Sequence, residues 1–154
     1  RGHTKIAGYF KSDDIQGHQR YSGFISELFR SGLIIPDENV FWYTTETKEN
    51  LFDDPEEVLK RLGDNTAVVC YNDEVAFGLV KCLLSAGRRV PEDVAVVSFD
   101  NSNLSWISQV PITSLSYEDR NIGRIAAQKL VDILDGRDVS SEVLPWTFIQ
   151  KESS

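Results

Sequence analysis

Two apolar runs in this chain end abruptly in short polar side chains. Val68-Val69-Cys70-Tyr71 stops at Asn72-Asp73, and Val94-Ala95-Val96-Val97-Ser98-Phe99 stops at Asp100-Asn101. In open α/β sheets, ligands bind just beyond the carboxyl ends of the strands. A carboxylate placed there accepts charge-assisted hydrogen bonds from hydroxyl groups, and an amide both donates and accepts. That chemistry suits a polyhydroxylated ligand. Asn and Asp are also ordinary helix caps and turn residues. One of Asn72 and Asp73 is therefore expected to cap the following helix, leaving the other free to point into a cleft. Asp100 reads either as a turn residue or as a sugar acceptor with Asn101 beside it.

Arg20 lies within the helical stretch Gly17-His18-Gln19-Arg20-Tyr21-Ser22-Gly23-Phe24. A surface Arg is usually solvated. With the base of its helix facing the cleft, its planar fork would hold two adjacent hydroxyls. Glycine inside a helix costs about 1 kcal/mol against alanine. Gly23 is read as letting the helix sit close to the sheet, and Gly17 as marking the true helix start. Among the aromatics, Tyr43 or Trp42 at a strand end offers a ring for a sugar face, although core packing is the commoner fate of either. Trp106-Ile107 is a candidate exposed apolar pair, of the kind that marks partner contacts. No Gly-x-Ser-x-Gly, Walker A or Gly-x-Gly-x-x-Gly pattern occurs, and each would be needed for its chemistry. Asp13-Asp14, Asp53-Asp54 and Glu56-Glu57 read as caps and solvated faces. No catalysis, no cofactor and no metal are expected, since the two histidines, His3 and His18, lie far from any cysteine.

The elements that must position these groups follow from hydrophobic periodicity. Strands are expected at Lys5–Phe10, Val40–Thr44, Thr66–Tyr71, Val94–Phe99, Thr113–Ser116 and Val143–Ile149. Helices are expected from Ile15 to Phe29 with Asp13 or Asp14 as cap, from the Asp53-Asp54-Pro55 start to Leu62, from Asp73 to Ala86, and from Tyr117 to Leu134. A short helical turn is expected around Leu104–Ile107. This βαβ order predicts a mainly parallel sheet flanked by helices on both faces.

The chain has 154 residues, with 41% apolar and 26% charged side chains. That is the composition of one globular α/β domain. A net charge of −8 repels phosphate backbones, so a DNA role needs another segment. No apolar run approaches the ~20 residues of a membrane span, and no membrane partner is expected. Cys70 and Cys82 read as reduced, buried residues of a cytoplasmic protein. The chain contains no Met and reads as a piece of a longer polypeptide.

Several motifs, in order along the chain, resemble effector domains of the lactose/galactose repressor family. They are Gly2-His3-Thr4-Lys5-Ile6-Ala7, Arg20-Tyr21-Ser22-Gly23-Phe24, Asn72-Asp73-Glu74-Val75-Ala76, Val90-Pro91-Glu92-Asp93 with the strand to Asp100, and Pro111-Ile112-Thr113-Ser114. The loop Phe10–Gly17 is unlike most of the family. It resembles a subgroup in which a winged-helix reader of the gluconate-repressor type precedes the effector domain. Ser98 stands where Gly is common, and Asn101 where a second Asp is frequent.

The resemblance implies a periplasmic-binding-protein-like fold, of which this chain is the C-terminal lobe. Residues 1–116 and 140–150 would form that lobe, and the helix at 117–136 would belong to the N-terminal lobe. Without that lobe, the helix face of Ile122, Ile125, Ala126, Leu130 and Val131 needs other cover, from a second copy or a rearranged position. Arg20, Asn72 and Asp100 match effector-contacting positions. Tyr43 or Thr44 matches the strand-end position, and Tyr117 sits at the crossing between lobes. The implied function is sugar sensing by a bacterial repressor of carbohydrate metabolism, released from DNA by a sugar such as arabinose. Operator DNA would be read by a segment outside this chain. A homodimer would form through Glu74–Ala86 and Leu104–Gln109. The alternative is a transport-type periplasmic sugar-binding protein.

Overall fold

The computed structural model describes residues 2–117 and 122–154. The elements are β1 (Ile6–Lys11), α1 (Ile15–Arg30), β2 (Val40–Tyr43), α2 (Pro55–Leu62), β3 (Ala67–Cys70), α3 (Asp73–Ser85), β4 (Ala95–Phe99), α4 (Asn103–Ile107), β5 (Thr113–Ser116), α5 (Ile122–Leu134) and β6 (Thr147–Ile149). They form one six-stranded sheet in the order β2-β1-β3-β4-β5-β6. The first five strands pair in parallel, and β6 joins β5 antiparallel.

Strand alternation divides the side chains between two faces. Ala7, Tyr9, Phe41, Tyr43, Val68, Cys70 and Val96 meet Val58, Leu62, Val75, Leu79 and Leu83 of α2 and α3 in the main core. Leu79 and Leu83 are fully buried, and each such side chain contributes about 1.5–3 kcal/mol. Phe10 points the other way and packs on Tyr21 and Phe24 of α1. Helices thus lie on both faces, as the periodicity predicts. Cys70 and Cys82 are buried and unpaired. No helix among the described residues is long and apolar enough to cross a membrane.

Three expectations are corrected. The last strand is short, Thr147–Ile149, because its only ladder partner among the described residues is the four-residue β5, whose Ser114 to Ser116 face it. Val143 stays exposed and outside any strand. Gly23 does not serve a close approach, since a Cβ there would meet nothing within 4 Å. Gly17 does, and it does not mark the helix start, which is Ile15 behind the Asp14 cap: its Cβ would fall 1.8 Å from the Lys11 carbonyl oxygen. The helix expected from Tyr117 is described only from Ile122, and residues 118–121 lie outside the described residues. No side chain of α5 is buried, and Ile122, Leu130 and Val131 remain about half-exposed. Among the described residues nothing buries the apolar face of this helix.

Candidate functional site

The carboxyl ends of β3 and β4 bring Arg20 and Asp100 together. Asp14 caps α1 by accepting from the Gly17 N–H, and Gly17 lets that first turn press on the end of β1. This docking aims Arg20 across the sheet edge. Its Nη1 donates to the Tyr71 carbonyl, and its Nη2 donates to Asp100 Oδ1 at 3.0 Å. The guanidinium lies against two rings, 4.7 Å from the Tyr71 centroid and 4.6 Å from that of Phe99. Stacking of this kind fixes the plane of the fork. The Arg20 side chain is 12% exposed and that of Asp100 is 44% exposed. An anchored cation thus meets a carboxylate open to solvent, and a vicinal diol can donate to one and accept from the other.

Asp100 and Asn101 have φ of +97° and +48°. Such backbone costs on the order of 1–3 kcal/mol at each residue. Three successive N–H groups offset it. Asp100 donates to the Leu115 carbonyl, Asn101 to Ser114 Oγ and Ser102 to the Asp73 carboxylate.

The structure settles the division of labour at Asn72-Asp73. Asn72 is the cap of α3, accepting from the Val75 N–H at 3.0 Å. Asp73 is not free in the cleft: it is 1% exposed and accepts from Ser98, Ser102 and Ser114. Asn72 follows the Tyr71 carbonyl that holds Arg20, so it shares the same edge. The cap bond is the one bond its side chain makes among the described residues. Asn72→Ala should therefore lower stability by about 1 kcal/mol. Asn72→Asp, which keeps the capping oxygen, should lower it by less than half of that in urea denaturation.

Tyr43 is corrected as a stacking platform. It is 3% exposed, on the α2/α3 face, with its ring edge against Tyr71. Burial drives its hydroxyl pKa far above the ordinary value. Trp42 instead joins Phe10, His18 and Tyr21 on the α1 face. Tyr117 does reach the site, through Trp146. Their centroids are 4.0 Å apart, and Trp146 stands edge-on to Phe99 at 6.0 Å.

Tyr71, Phe99 and Trp146 are site residues that sequence reasoning missed. The signal for two of them was an aromatic directly before each polar strand tip. The Tyr71 hydroxyl donates to Asp14 at 2.8 Å, and Lys11 pairs with the same carboxylate at 3.2 Å. Desolvation, then Asp14, push the Tyr71 pKa up to about 12. Burial works to raise the Asp14 pKa, but the Gly17 N–H, Tyr71 and Lys11 outweigh it and hold it low.

A cavity of about 660 Å³ runs from this edge beneath α1, lined by Gln16, Gln19, Arg20, Phe99 and Trp146 and floored by Val69 and Val97. Among the described residues no cluster of three or more His, Cys, Asp or Glu side chains could hold a metal.

Comparison with known proteins places the chain in a family. A periplasmic binding protein-like domain model matches residues 1–154. The arabinose metabolism transcriptional repressor of Halalkalibacterium halodurans is 35% identical over 139 residues, which are 87% of this chain and 36% of that protein. Its counterpart in Geobacillus stearothermophilus is 34% identical over 141 residues, 90% of this chain and 39% of that protein. A solved complex of the transcriptional regulator CelR with cellobiose superposes with a TM-score of 0.84 at 30% identity, covering 99% of this chain and 47% of that one. The chain thus spans less than half the length of each of these relatives. It belongs to the family of periplasmic binding protein-like domains, and these relatives within it are transcriptional regulators.

Proposed function

We propose that this chain is the C-terminal, sugar-contacting lobe of a longer bacterial repressor of carbohydrate metabolism. The observation that carries the reading is the Arg20–Asp100 pair at the carboxyl edge of the sheet, held flat between Tyr71 and Phe99. Arg20, Asn72 and Asp100 offer donors and acceptors to ring hydroxyls, and Tyr117 with Trp146 offers an aromatic wall. The likeness to two arabinose repressors and to a cellobiose-bound regulator favours a sugar over other polar ligands.

A sugar seated between this lobe and a second one favours the closed arrangement by its differential affinity alone. A hundredfold preference supplies about 2.7 kcal/mol. That shift alters the spacing of DNA readers attached elsewhere in the polypeptide, which works in the cytoplasm as a homodimer and turns over no substrate. Residues 1–116 and 140–150 belong to this lobe and 117–136 to the other, in keeping with an α5 that buries nothing here while β6 returns to pair with β5. Trp106 and Ile107, 56% and 69% exposed, give α4 an apolar face for the dimer partner.

Calorimetric titration of the intact protein with arabinose, xylose, ribose, galactose and cellobiose tests the reading. At least one should give saturable binding and release the protein from its operator. Absence of heat from all five would overturn it.

A further inference from the structure

We infer that Asp73 is a positioning residue for the sugar-binding carboxylate, acting on Asp100 through Ser114 and Ser102; this rests on the sugar-site reading above. Asp73 opens α3 on the face of the sheet turned away from α1, and it is almost fully buried. Everything around its carboxylate is a donor. The Ser98 and Ser114 hydroxyls both reach Oδ1, the latter at 2.7 Å, and the Ser102 N–H reaches Oδ2. An acceptor-only side chain satisfies all three donors at once, whereas an amide would have to turn its NH₂ toward the two serines, whose hydroxyls would then have to rotate and accept from it.

The cage leads to the ligand edge by one route. Ser114 spends its hydrogen on Asp73, which leaves its lone pairs to accept from the Asn101 N–H at 3.0 Å. Ser102 is bound directly. Asp73 thereby holds two of the three N–H groups that follow the tip of β4, and these keep residues 100 and 101 at positive φ. In that backbone state the Asp100 side chain turns back toward Arg20. A buried carboxylate with no exposure to the cleft thus sets the aim of the exposed one. The Ser98 hydroxyl shares Asp73 but, among the described residues, makes no hydrogen bond to Asp100 or Asn101, which provides an internal control.

Asp73→Asn endangers the fold itself, so the deciding pair is Ser114→Ala and Ser98→Ala. Each deletes one hydroxyl from the same Asp73 oxygen. Both are made in the intact protein, titrated calorimetrically with arabinose, xylose, ribose, galactose and cellobiose, and melted in parallel. Ser114→Ala should weaken binding at least tenfold relative to wild type, and Ser98→Ala less than twofold, at thermal midpoints that match each other. Equal affinities in the two variants, whether both lost or both retained, would overturn the positioning role and leave the sugar site standing. A wild-type protein that binds none of the five sugars would remove the site and this inference together.

Discussion

Arg20→Ala in the intact protein is expected to weaken sugar binding at least a hundredfold, about 2.7 kcal/mol, with a smaller loss of thermal stability from the ring packing and the Tyr71 carbonyl bond that go with it. The asymmetry follows from where the charges lie. Without ligand, Asp100 is nearly half exposed, so water replaces the lost cation and little stability is at stake. With a sugar bound and water expelled, the same carboxylate would be left beside the ligand without its countercharge. Truncating one partner of a desolvated pair costs 2–5 kcal/mol or more. Arg20→Lys should rescue poorly, because an ammonium cannot bond the Tyr71 carbonyl and Asp100 in one plane while stacked between two rings. Asp100→Ala should match the Arg20→Ala loss. Calorimetry paired with thermal melting checks both, and unchanged affinity in either variant would refute the site.

The second large effect concerns stability and separates two glycines of one helix. Gly17→Ala places a methyl 1.8 Å from the Lys11 carbonyl oxygen and 2.8 Å from its carbon, and both are backbone atoms that cannot yield. The first turn of α1 must lift off β1, and the Asp14 cap goes with it. Overpacking of this kind costs about 1–3 kcal/mol or more. At about 2–4 °C per kcal/mol for a domain of this size, the midpoint should fall by roughly 2–12 °C. Gly23→Ala meets open space and should gain up to about 1 kcal/mol from helix propensity. Differential scanning calorimetry of the two variants decides the matter: a Gly17→Ala protein as stable as wild type would mean that α1 does not dock as described. Because Arg20 sits one turn beyond Gly17, sugar affinity should fall in that variant too.

The strands were readable because buried parallel strands are near-continuous apolar runs, and β1 to β5 start and stop within a residue of the pattern. Helix starts were marked by carboxylates and Pro55, and Asp54 caps α2 through the N–H groups of Glu56 and Glu57. What the pattern could not resolve was a one-residue question at β3–α3. Asn72 and Asp73 are both good caps, and a shift of one position exchanges a cleft residue for a buried one. The direction of β6 was equally hidden, since alternation looks the same from either end. Tyr43 misled because odd and even positions of β2 differ only by face. Phe41 and Tyr43 share the α2/α3 side, and no local feature of the strand says so. The Arg20–Asp100 pairing spans 80 positions, and its residue types were legible whereas its stacking between Tyr71 and Phe99 needed the folded chain.

The sheet is finished by polypeptide that arrives late. Ser153, fully buried, donates from its hydroxyl to the Val96 carbonyl at 2.6 Å and accepts from the Thr113 N–H at 2.9 Å. Lys151 reaches Asn101 and Ser105 at 2.7 Å each. These bonds bridge β4, β5 and the turn at residues 100–102 from a segment that has first travelled out through α5. Closing so long a loop is slow relative to local structure. On a ribosome, the first five strands would wait with β5 as a raw edge until residues 147–154 emerged. Nascent copies of this chain therefore have a window in which that edge is open to mispairing, and synthesis of the final segment shuts it.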